Sequence, residues 1–186
     1  LEAGQVIGAA SGRNGGQCNA GTAHDFGALA HSHGLDRARN WYRAHVDAVD
    51  TVERIAQTEG IACDFVRCGR AKLAAKPEHF AKLEAAWRLL TDEVDQAVSL
   101  VPPERIGEEI GSGPFHGALV QHSSAQLHVG KFGRGLADAV VKAGAQVWEQ
   151  APVTALTRTG TGQVLTTPRG TINARQVLVA TGGASP

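Results

Sequence analysis

The sequence has no methionine, a single tyrosine and an aromatic content of only 5% across its 186 residues. A natural chain of this length normally carries several methionines. Their absence, together with a start inside the glycine-rich text LEAGQVIGAASGRNGGQ, points to a fragment or a processed product. Excess charge is lacking too: Lys plus Arg and Asp plus Glu each number 18. Nothing electrostatic therefore recommends nucleic acid or an anionic membrane as partner, and a small neutral or locally charged ligand is the better expectation. No apolar run reaches the ~18 residues of a spanning helix, and the first residues lack the basic, apolar and small-residue order of a secretory signal. The chain reads as soluble and cytoplasmic. Cys18, Cys63 and Cys68 are odd in number and form no CxxC pair, which argues against a disulfide framework and a zinc site alike. They read as reduced thiols.

Glycine is plentiful at 23 residues and clusters in three places, as tight turns require. Leu1 and Glu2 read as the end of a strand, followed by a loop with no helical period. From Leu35 the apolar residues Ala38, Trp41, Tyr42, Val49, Val52 and Ile55 recur at helical spacing, which predicts an amphipathic helix closing at Gly60. CDFVRCGRAKLAA alternates like a strand pair around Gly69, and Pro77 opens a second helix with Phe80, Leu83, Trp87, Leu90 and Val94 on one face. The proline- and glycine-punctuated middle predicts turns and short strands. A third helix, carrying Phe132, Leu136, Ala139 and Val140, ends at Gly144 and leads into a strand, AQVWEQ. Three short strands joined by glycine turns follow, then a buried strand VLVA running into Thr181, Gly182 and Gly183. The fold class is α/β with mixed α+β character.

Strand ends rich in small residues are where α/β proteins hold phosphates, because unpaired backbone N–H groups lie there and glycine permits close approach. VIGAASGRNGG is not itself a G-x-G-x-x-G fingerprint. Counted from Gly8, Ala10 and Arg13 stand where the second and third glycines belong. Glu2 fits better as the acid found about 20 residues beyond such a fingerprint, where a carboxylate accepts hydrogen bonds from ribose hydroxyls. In SGRNGG, glycines flank Arg13, a guanidinium suited to phosphate. His31 and His33 form an HxH with no third ligand at suitable spacing, so they read as a loop pair and no metal is expected. His116, His122 and His128 fall in a segment that would face substrate, yet structural or surface roles are the simpler account of each. Trp41, Trp87 and Trp148 read as core residues.

In this order and spacing, LEAGQVIGAASGRNGGQ, FVRCGRAKLAA, LHVGKFGRGLADAVVKAGAQVWEQAPVTALTR and INARQVLVATGG resemble the D-amino-acid oxidase superfamily of FAD-dependent oxidoreductases. The ASGRNGGQ form is most similar to members of the gamma-glutamylputrescine oxidase type. The resemblance covers nearly all of the chain. It implies a partial, Rossmann-like FAD-binding domain interleaved with a substrate-binding domain: residues 1–60 and 129–186 on the flavin side, 61–128 on the substrate side. It also implies FAD as cofactor and a small amine or amino acid as substrate. Carried over by position, Glu2 matches the ribose-binding acid. Ala10, Ser11 and Gly12, with Arg13 and Asn14 beside them, match the loop passing the pyrophosphate. Gly15, Gly16 and Gln17 match the turn toward the flavin ring. Val153 matches the backbone position at the adenine, and Thr181, Gly182 and Gly183 match the turn closing over the cofactor. No catalytic residue is implied. The family's first strand, glycine fingerprint and C-terminal portion are not in this sequence, so the chain alone is expected to be inactive. The alternative is a non-catalytic nucleotide- or protein-binding module on a truncated flavin fold.

Overall fold

The computed structural model describes residues 1–21, 24–111 and 113–182. Helices α1 (Phe26–His33), α2 (Leu35–Thr58) and α3 (Pro77–Glu93) precede α4 (Val129–Lys142). A two-residue strand β1 (Gln17–Cys18) opens the strand series, followed by β2 (Arg70–Leu73), β3 (Val98–Val101), β4 (Ala118–Gln121) and β5 (Ala125–Gln126). A terminal meander follows, made of β6 (Ala155–Arg158), β7 (Gln163–Thr167) and β8 (Gly170–Ala174). The result is the mixed helix-and-sheet class read from the sequence.

The helices form for the reasons their spacing gave. Along α2 the buried residues Ala38, Tyr42, Val49 and Ala56 fall on one stripe, and along α3 Leu83 and Leu90 are two turns apart. Pro77 starts α3, where a missing N–H costs nothing. α1 was not foreseen. Its N-cap is Asp25, whose side chain accepts from Gly27 N, and Gly34 alone separates it from α2. His31 and His33 therefore stand in the last turn of a helix and not in a loop. Residues two apart on a helix do not face one another, which removes the HxH pair as a shared ligand set.

The central sheet has the antiparallel order β2–β4–β3. One face packs on α1, α2 and α3 through Phe26, Tyr42, Leu83, Leu90, Val98 and Leu119. The other face carries a small cluster of Val101, Ala118 and Val120. CDFVRCGRAKLAA is not a hairpin: Val66 bridges Gln126, and β2 pairs with β4, so the two halves find separate partners on either side of Gly69.

Other local readings also change. Leu1 and Glu2 are not in a strand, and neither is the segment after α4. The two run together irregularly, with Glu2 N–H donating to Trp148 O at 2.8 Å and Ala151 N–H donating to Glu2 O at 2.9 Å. The three-stranded meander is as expected. VLVA is neither strand nor buried: Leu178 is 90% exposed and Val179 59%. An apolar strand of this kind is buried when neighbours cover both its faces, and no strand of the described residues pairs with it. Trp41, edge-on to the His33 ring at 5.1 Å, and Trp148 are exposed, while Trp87 packs against the core. Among the described residues no helix is long and apolar enough to cross a membrane.

Candidate functional site

Residues 2–17 form a loop held in shape by its own side chains. The Glu2 carboxylate accepts from Gly4 N–H at 2.8 Å, and the Glu149 carboxylate accepts from Val6 N–H at 2.7 Å. A single 3-10 turn follows at Ala10–Gly12. Asn14 then closes it: its side-chain amide donates to Ala10 O and Ser11 O at 3.2 and 3.1 Å, and its Oδ1 accepts from Gly16 N–H at 3.0 Å. Both ends of the Asn14 amide are thus engaged inside the loop. Two glycines are sterically required. A Cβ at Gly12 would stand 2.0 Å from Ile7 O, and one at Gly16 would stand 2.0 Å from Leu127 O.

The loop is seated on the start of α4. Gln17 and Cys18 pair with Gln126 and Ala125, and Leu127 N–H donates to Gly16 O at 2.9 Å. His128 is the N-cap of α4, with its Nδ1 accepting from Lys131 N–H at 3.2 Å. Lys131 also holds the Asp64 carboxylate at 2.7 Å, and this hydrogen bond, followed by their charge attraction, lowers the Asp64 pKa. Of the other histidines considered, His122 bonds Ser99 Oγ at 2.7 Å, and the backbone of His116 pairs with Ala74. Cys18 is half-buried, and burial, with the nearby Cys63 adding to it, pushes its thiol pKa up. Raised pKa values suit thiols, not reactive thiolates. Among the described residues no cluster of His, Cys, Asp or Glu is placed to hold a metal.

Between loop and helix lies a cleft of about 610 Å³. Ser11, Asn14, Gly16 and Gln17 line its loop side, and Val129 and Phe132 its helix side. Arg13 and Gly15 stand exposed beside it. Arg13 makes no ion pair among the described residues, and a Cβ at Gly15 would meet nothing within 4 Å. A free guanidinium next to open backbone amides is a donor set that fits a phosphate-bearing ligand. Glu2 and Val153 come to one corner, because Ala151, two residues before Val153, is bonded to Glu2. Thr181 and Gly182 are exposed and line no part of the loop cleft, and Gly183 lies outside the described residues. Sequence reading missed Glu149 and His128 as the groups that anchor the loop and cap α4. Glu149 acts on Val6 across 143 residues, a separation that no local pattern signals.

A family profile described as FAD dependent oxidoreductase matches residues 1–186. The chain belongs to this family. It is 30% identical over 180 residues to gamma-glutamylputrescine oxidoreductase of Escherichia coli (strain K12), covering 97% of this chain and 42% of that protein. It is 26% identical over 182 residues to the probable oxidoreductase OrdL of Haemophilus influenzae, again covering 97% of this chain and 42% of that protein. The chain therefore spans less than half the length of these curated relatives. Among solved structures it superimposes on glycine oxidase from Geobacillus kaustophilus with a TM-score of 0.82 at 20% identity, over 96% of this chain and 47% of that one. With L-amino acid deaminase from Proteus vulgaris the TM-score is 0.73 at 14% identity, over 94% of this chain and 39% of that one. The family is FAD-dependent, and the fold is that of its flavoproteins.

Proposed function

We propose that this chain serves an FAD-dependent oxidoreductase that oxidises a small amine or amino acid at its C–N bond, with molecular oxygen as electron acceptor. The observation that carries the reading is the loop of residues 10–17 wound over the start of α4, with Arg13 and Gly15 left open beside the cleft. The assigned roles follow the loop. Ala10, Ser11, Gly12 and Arg13 flank a pyrophosphate, Gly15, Gly16 and Gln17 approach the flavin ring, and Asn14 keeps the loop in shape. Glu2 takes ribose hydroxyls through the carboxylate oxygen that Gly4 does not use, with the Val153 backbone near the adenine and Thr181, Gly182 and Gly183 closing from another side. Bound FAD supplies the acceptor for hydride from the carbon beside the amine. The protein's share is to bind it, orient it and keep water from it. The names of the relatives support the substrate class, since they include a gamma-glutamylputrescine oxidoreductase and a glycine oxidase. The division at residues 60 and 128 into flavin and substrate parts belongs to the same proposal.

Flavin absorbance in the purified full-length protein tests the reading. The expected result is a yellow protein in which Arg13→Gln weakens FAD about tenfold, the loss of one charge-assisted contact. Hydrogen peroxide formed during turnover separates oxygen as acceptor from a dedicated electron carrier. A second reading, a non-catalytic nucleotide- or protein-binding module, is favoured by the largely exposed 175–182 segment, which is not among the residues lining the cleft. A protein that stays colourless with FAD while binding a macromolecule would establish it.

A further inference from the structure

Away from the loop cleft, β2, α3 and the start of α1 enclose a groove. A cavity of about 80 Å³ and a larger one of about 510 Å³ share Asp25, Gly27, Lys72, Ala86 and Leu89, so the two run into one another. The register of β2 on β4 pairs Arg70 with Gln121 and Lys72 with Leu119. Paired residues share a face, so both cations project on the helix side of the sheet, about 7 Å apart along the strand. Lys82 joins them from α3, and Leu83 and Leu89 supply an apolar floor.

The lining of the groove carries three cations, Arg70, Lys72 and Lys82, and one acid, in a chain with no net charge. Arg39, Arg67, Arg88, Arg105 and Lys131 each hold a carboxylate. Arg70, Lys72 and Lys82 make no ion pair among the described residues. The one acid lining the groove, Asp25, is committed through Oδ1 to Gly27 N–H at 3.0 Å. Unpaired surface cations are common singly. Three of them converging over an apolar floor inside a concavity match a ligand with anionic ends and a hydrocarbon middle.

We propose that this groove binds a small linear dicarboxylate: one carboxylate on Arg70 and Lys72, the methylene chain over Leu83 and Leu89, and the second carboxylate on Lys82. Three cations in an open groove of this volume are too short a track for a nucleic acid strand, whose binding needs a longer run of phosphate contacts. The site does not depend on the flavin proposal, since it shares none of the residues assigned there.

Titration of the full chain with glutarate, without added flavin, by calorimetry and amide NMR tests it. Glutarate is expected to bind with a dissociation constant of about 1 mM, shifting the amides of Lys72 and Leu89, and the uncharged glutaramide is expected not to bind. The pair Arg70→Gln and Lys72→Gln weakens glutarate about tenfold, and Lys82→Gln, made separately, weakens glutarate but not butyrate. Circular dichroism checks that each variant is folded. The proposal is overturned if glutaramide binds as well as glutarate, if inorganic phosphate or a single-stranded oligonucleotide displaces glutarate at equal concentration, or if the folded variants bind unchanged. A colourless protein that binds glutarate keeps this groove and removes the flavin reading. A yellow protein indifferent to glutarate does the reverse.

Discussion

A methyl group at position 16 would stand 2.0 Å from the carbonyl oxygen of Leu127, and the backbone there has φ +69°. Gly16→Ala is therefore both strained and blocked, and it is expected to lower stability by at least about 1 kcal/mol. Gly15→Ala, one residue away with open space around it, should change stability by less than about 0.5 kcal/mol. Urea midpoints of the two variants check this, and equal values would contradict the seating of the loop on α4. The sequence made the glycines legible as a set; which of them is indispensable depends on Leu127, more than a hundred residues distant. Tyr42, the only tyrosine, is buried and donates to Asp95 at 2.5 Å while accepting from Gln121 at 3.0 Å. Tyr42→Phe leaves one buried carboxylate oxygen of Asp95 without its donor, a cost of about 1–3 kcal/mol. Burial, and then the bond to Asp95, raise the phenol's pKa in the folded state. A group raised on folding stabilises fully below its unfolded pKa, about 10 for tyrosine, and loses that contribution as pH climbs further. The stability gap between wild type and Tyr42→Phe is thus expected to hold near neutrality and to shrink above pH ~10. Denaturant midpoints across that range measure it, and a gap independent of pH would refute the linkage.

Elements with their own periodicity were the readable ones. α2, α3 and α4 announce themselves because their apolar residues recur every three or four positions, and the meander because glycines punctuate short alternating runs. α1 was hidden because it has only eight residues, with just Phe26 and Leu29 buried, too short for a period to emerge. β2 was read with the wrong partner because alternation identifies a strand but not its mate. Gly34 joins α1 to α2 at φ +86°, ψ 150°, a region that only glycine occupies at ease. A Cβ there would meet nothing within 4 Å, so Gly34→Ala isolates backbone strain from steric conflict. The expected loss is about 1–3 kcal/mol, seen as a lower urea midpoint. Should Gly34→Ala leave the midpoint unchanged, the single-residue connection between the helices would have to be drawn differently.

At the scale of the whole molecule, apolar burial is uneven. The residues of the main core run from Ala20 to Leu119, drawn from three helices and the central sheet, whereas the large exposed apolar residues are concentrated after α4. Trp148, Val153, Leu156, Leu178 and Val179 all belong to that exposed set. The patterning of VLVA predicts a buried strand, and the structure leaves its residues irregular and largely exposed. What the sequence could not state is whether neighbours are present to bury them, and relatives of which this chain spans 42% show how much polypeptide their fold has besides. The meander makes the consequence measurable. None of β6, β7 and β8 contains a buried residue, while β4 has three. A three-stranded sheet with no covered apolar face has little beyond its own hydrogen bonds to keep it closed. Its opening free energy should fall well below that of the sheet packed on α1, α2 and α3. Hydrogen exchange on the 186-residue chain is therefore expected to be slow at the amides of Leu119, Val120 and the middle of α2, and faster by at least about a hundredfold at the paired amides of Leu165 and Val164, a difference of roughly 3 kcal/mol. Equal protection in the two sheets would mean that the meander is covered by packing this structure does not contain, and the exposed residues after α4 would then need a partner surface.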